Sequence, residues 1–167
     1  MSAVITTATP FTIQDVLVNA LDELGYEPTT ITDENIATFD HRNPLQIDDI
    51  VTNRQDYYGN QYFRFMGGQW VLLHDSSEMN GRLVSKTSKQ YQTVGLFLKE
   101  LSTEYTNQYN IHLEYLAELE KQRVEAERKA RVEATRKRAI EQAKAQGYVV
   151  KEKHVNGKIQ LVCSRTV

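Results

Sequence analysis

Residues 61–74 read Gln-Tyr-Phe-Arg-Phe-Met-Gly-Gly-Gln-Trp-Val-Leu-Leu-His, two aromatic and aliphatic runs parted by Gly67-Gly68. Adjacent glycines accept the positive φ values of a two-residue hairpin turn, so the runs pair as antiparallel strands. That register sets Phe65 opposite Trp70 and Phe63 opposite Leu72, which predicts one buried aromatic face, with Arg64 on the other beside Tyr62 and Val71. The same device recurs near the end, where Asn156-Gly157 joins 148–155 to 158–165. There Val150 faces Cys163, with Ile159 and Leu161 on the same side and Lys151, Lys153, Lys158 and Gln160 on the other. Among those apolar strand positions Cys163 is expected to be a buried, inert thiol.

Working outward, residues 2–9 are small and β-branched and read as a strand. Thr12 followed by Asp15 marks a helix start, with Phe11 closing on Val16 as a hydrophobic staple. Apolar residues then recur at helical spacing up to Leu24, and Gly25-Tyr26 supplies a left-handed stop, so the first helix covers about 13–24. From 27 to 56 the signal weakens to short β-branched pieces at 29–32, 36–39 and 47–52, and the course of 33–56 is left open.

Between the hairpins, residues 88–146 contain no proline and only Gly95. Val94, Phe97, Leu98, Leu101, Tyr105, Tyr109, His112 and Leu116 stand near helical spacing and should pack on the sheet. From Ala117 to Ala145 the apolar residues thin out, while Glu125/Lys129, Glu127/Arg131 and Glu133/Lys137 sit four apart in the favourable order. As one helix, 88–146 would extend roughly 90 Å, so part of it must project, bend or meet a partner. A break at 106–110, where helix-weak residues cluster, is the alternative. The expected fold is α+β: a small antiparallel sheet of hairpins, split βαβ-like, packed by two helices, the second very long and projecting. Residues 1–167 read as one domain, with 117–145 a charged helical extension.

With 167 residues, 20 Lys plus Arg against 22 Asp plus Glu and a single Cys, the chain is an ordinary globular composition with no global attraction for nucleic acid or acidic membrane. A lone cysteine fits a reducing, cytoplasmic compartment, and neither a signal peptide nor a membrane span is evident.

Leu24-Gly25-Tyr26, the Phe63–Trp70 hairpin, Asn107-Gln108-Tyr109, and the ending from Gln146-Gly147-Tyr148 through Asn156-Gly157 to Leu161 together resemble the hypothetical chloroplast reading frame thirty-five family. The resemblance covers most of the chain and implies a cyanobacterial, plastid or phage origin. It implies no catalytic residue, because that family carries no accepted activity. The charged stretch 120–142 lengthens the family's helix.

Reactive constellations are sparse. His74-Asp75 and Asp40-His41 are the acid/base candidates, yet neighbours on a strand point to opposite faces and form no dyad. Ser76, Ser77 and Cys163 lack a nucleophile motif, and neither a metal motif nor a phosphate-cradling loop is present. No enzyme, cofactor or metal is therefore expected. Nine bases between 117 and 146, against six acids, leave a local surplus, and Arg123, Arg128, Arg131, Arg136, Lys137 and Arg138 are the candidate partner-binding residues. The interleaved acids repel phosphates, and no aromatic lies between Tyr115 and Tyr148 to stack on bases, so nucleic acid is not expected. The leading reading is a non-catalytic module binding a protein partner or itself through the long helix. The rivals are a nucleotide-like ligand held in a groove of Tyr62, Arg64, Trp70 and His74, and weak nucleic-acid binding through the helix bases.

Overall fold

The structure, a computed structural model, describes residues 3–39, 42, 44–76, 82–83 and 92–165. It resolves into two compact units, Met1–Glu114 and Tyr115–Val167, each described by itself. The fold is α+β, as the sequence leads one to expect.

In the first unit, β1 (Val4–Ala8), β2 (Thr29–Thr30), β3 (Ile50–Asp56), β4 (Gly59–Met66) and β5 (Gln69–Asp75) form an antiparallel sheet in the order β1-β5-β4-β3-β2, and β6 (Arg82–Leu83) also pairs with β3. Gly67 and Gly68 take φ of 61° and 85°, and the strands they join pair Phe65 with Trp70 and Phe63 with Leu72. Helix α1 (Gln14–Glu23) ends in a Schellman motif: Gly25, at φ 77°, donates its N–H to Asp22, and the Tyr26 N–H reaches back to Leu21. Its start differs from the expected capping box. No side chain of the helix caps it; instead the Tyr105 hydroxyl accepts the N–H groups of Thr12 (3.1 Å) and Ile13 (3.0 Å).

Helix α2 (Val94–Ala145) is one unbroken element of 52 residues. The helix-weak residues at 106–110 do not break it, and side chains among them bond back onto the preceding turn. Thr106 donates to the Ser102 carbonyl (2.9 Å) and Gln108 to the Glu104 carboxylate (2.9 Å). Val94, Phe97 and Leu101 are buried against one face of the sheet with Phe11, Leu17 and Phe63, each such burial contributing on the order of 2 kcal/mol. Leu98 and Tyr105 lie at the margin, whereas Tyr109 and Leu116, expected to pack on the sheet, are exposed.

The sheet is buried on both faces, a correction to the expected single one, except at the Gly67–Gly68 tip, where Phe65, expected on the buried aromatic face, is exposed. Tyr62, Val71 and Leu73 join Val51, Ile31 and Leu45 in a second cluster, which Ile36 and Phe39 help cover. Within the open segment 33–56, Ile36, Phe39 and Leu45 cover this face and Ile50–Asp56 is β3 of the sheet itself. The piece at Ile36–Thr38 is a 3-10 turn, not a strand.

In the second unit, Gly147 (φ 81°) ends α2, and β7 (Tyr148–Val155) and β8 (Lys158–Arg165) pair only with each other. Asn156 and Gly157 make the positive-φ turn, and Val150 faces Cys163 as the sequence specifies. Cys163 itself is exposed, against the expectation of burial, because nothing covers that end of a two-stranded sheet. Not one of residues 115–165 is buried.

Candidate docking surface

Along the helical part of the second unit, charged side chains pair locally. Glu125 pairs with Lys129 (3.6 Å) as its spacing predicts, but it also takes Arg128 (3.3 Å). Two expected pairs do not form. Glu127 turns to Arg123 (3.6 Å), and Glu133 bonds Arg136 (3.1 Å), because i,i+3 and i,i+4 partners lie equally within reach. Arg131 is thereby left without a carboxylate among the described residues.

Arg136 also ties the helix to the hairpin. Its guanidinium donates twice to the Glu152 carboxylate on β7, one contact being Nε to Oε1 at 3.0 Å. The Glu152 bonds hold the Arg136 guanidinium above its ordinary pKa, and reciprocally Arg136 holds the Glu152 carboxyl below the usual carboxylate range. The Asn156-Gly157 turn returns the chain beside α2, and an open groove of about 960 Å³ lies between residues 128–139 and 157–161. Val132, Ala139, Ile159 and Leu161 form its floor. Arg128, Lys129, Arg131, Arg136 and Lys158 stand on its walls against the single carboxylate Glu133.

Of the six candidate basic residues, the structure brings Arg128, Arg131 and Arg136 together in this groove. Arg123, Lys137 and Arg138 do not line it, and Arg123 is engaged by Glu120 (2.7 Å). Sequence reasoning missed Lys158 and the apolar floor. Asn156-Gly157 was the available signal for Ile159 and Leu161, since it sets them on one face; the same alternation puts Lys158 on the other, so nothing in the sequence brings it to the groove.

The alternative ligand residues do not converge. Tyr62 and Arg64 belong to one face of the sheet and Trp70 and His74 to the other, and Tyr62, Trp70 and His74 are all buried. Arg64 makes a bidentate pair with the buried Asp49 (2.8 and 2.7 Å), which raises the guanidinium pKa. His74 donates through Nδ1 to the Asp75 carbonyl (2.7 Å) and shares a hydrogen bond with the Thr7 hydroxyl at Nε2 (2.7 Å), so both ring nitrogens are occupied. Asp40-His41 and Ser77 lie outside the described residues. No cluster of three His, Cys, Asp or Glu side chains suited to a metal occurs among the described residues.

Arg54, unremarked in the sequence, is the largest fully buried side chain among the described residues. Its Nε donates to Gln61 (2.9 Å), its two terminal nitrogens to the Gln92 side chain (3.1 Å) and backbone (3.0 Å), and its guanidinium lies 4.3 Å above the Phe97 ring. Burial pulls its pKa below the ordinary value. It clamps β3 and β4 to the residues entering α2, which is a packing role.

Set against known protein families, curated proteins and solved structures, the chain finds no match. No helix among the described residues is long and apolar enough to cross a membrane.

Proposed function

We propose that the chain is a non-catalytic protein-interaction module whose docking element is the helix–hairpin unit of residues 115–165. The supporting observation is that this unit buries none of its residues, although Tyr115, Leu116, Leu119, Val124, Val132 and Ile159 are 42–63% exposed. An isolated two-stranded sheet is marginal in water, and exposed helix ion pairs contribute little. A protein partner, or a second copy, supplies the apolar cover the unit lacks. The reading places the protein in a reducing, cytoplasmic compartment, without nucleic acid as ligand. Membership of the reading frame thirty-five family belongs to the same proposal and adds no reaction.

The test compares the intact chain with the full-length double variant V132D/I159D as bait, against cell extract and against a separately tagged copy of the chain. Specific protein capture by the first and not by the second is expected. Equal capture by both baits refutes the assignment.

A further inference from the structure

Among the described residues β8 pairs with β7 along one side only, so its other edge presents backbone N–H and C=O groups that no strand takes up. The groove lies on this side: its walls come from α2 and from Gly157, Lys158, Ile159 and Leu161, with no residue of β7. A strand laid along the free edge of β8 would therefore turn alternate side chains into the groove, beside Ile159 and Leu161 and over Val132 and Ala139. The walls carry five cations against the one carboxylate Glu133, and two of those cations are not spent internally. Arg131 on the helix and Lys158 on the hairpin have no carboxylate partner among the described residues, and Arg128 and Lys129 share the one carboxylate of Glu125.

From this we infer that the groove takes an extended acidic peptide, which adds to β8 as a third strand, seats aliphatic side chains on the Val132–Ile159–Leu161 floor and turns the alternating carboxylates to the opposite face, toward Lys158 and within the field of the unpaired Arg131. The inference rests on the docking reading above and names the chemistry of the partner. A phosphate backbone fits the cations but has nothing to place on the apolar floor. A basic peptide fits the floor and is repelled by the walls.

The probe is a fluorescent synthetic peptide of alternating Glu and Val as long as β8, titrated into the full chain and followed by anisotropy. Its controls are the Lys/Val and Glu/Ser peptides and a Glu/Val peptide N-methylated on the amides of one edge. The Glu/Val peptide is expected to bind and to slow amide exchange across 158–164. R131E/K158E should raise its dissociation constant by about 100-fold, because like charges then face each other in the complex. N-methylation of the pairing edge should abolish binding while leaving composition and charge intact. Circular dichroism of R131E/K158E matching the wild type shows that the loss is not unfolding.

Equal binding of the Glu/Val and Lys/Val peptides overturns the inference, as does full affinity of the N-methylated probe. So does binding only of anionic phospholipid vesicles or of an oligonucleotide. If the peptides fail but V132D/I159D still loses its protein partners, the docking reading stands and the acidic strand falls. If that variant also captures what the wild type captures, both fall.

Discussion

Replacing Tyr105 by Phe deletes one oxygen and leaves the ring, whose centroid lies 4.7 Å from that of Phe11, in place. That oxygen accepts two backbone N–H groups at the start of α1, one near the surface at Thr12 and one half-buried at Ile13. Water can take over the Thr12 group; the Ile13 group loses its acceptor where water reaches poorly. Loss of a helix cap and of a partly buried hydrogen bond together amounts to about 1–2 kcal/mol. With a urea slope of about 2 kcal/mol per molar, the unfolding midpoint should fall by about 0.5–1 M. Trp70, the only tryptophan, sits in the same core and reports this unit by its fluorescence. Thr12→Ala is the companion experiment. A capping box would make it the costly substitution, whereas a helix with no side-chain cap of its own makes it nearly silent. If Thr12→Ala lowers the midpoint as much as Tyr105→Phe does, the hydroxyl is not the cap and the reasoning fails.

Arg64→Met should destabilise the first unit by about 3 kcal/mol or more, since it strands the Asp49 carboxylate, 1% exposed, without its counter-ion. Adding Asp49→Asn should recover part of that loss in the same urea assay. Burial, opposed in part by the Arg54 charge, raises the Tyr26 phenol above its ordinary pKa of 10.0. The folded state thus holds this proton more tightly than the unfolded chain, so the stability Tyr26 contributes is complete below pH 10 and is lost as pH climbs through 10 and beyond. Tyr26→Phe should flatten the alkaline limb of a stability-against-pH curve relative to wild type; identical slopes would contradict the burial argument.

Local chemistry was the legible part of the fold. Gly67-Gly68 and Asn156-Gly157 each specify a turn that admits few registers, and the pairings of Phe65 with Trp70 and Val150 with Cys163 follow from counting outward. Gly25-Tyr26 announces the end of α1 for the same reason. What depends on distant residues was not legible. The cap of α1 comes from Tyr105, 92 positions beyond Ile13. The run Thr52-Asn53-Arg54 is polar and reads as surface, yet all three are buried, where β3 shifts register, Gln61 and Gln92 take up Thr52 and Arg54, and Asn53 donates to the Gly25 carbonyl while its Oδ1 has no partner among the described residues. The candidate site divides in the same way. A surplus of bases on the helix was visible, but its grouping around Val132 required Lys158 and Ile159 to return beside the helix, and side-chain rotamers decided which arginines stayed free.

Cys163 is the sole thiol of the chain and it stands in water. A maleimide dye or spin label can consequently be attached to β8 of the unaltered protein. The same sulfur lets two molecules join covalently once reductant is exhausted, so a doubled mass on storage would report oxidation unless it survives dithiothreitol.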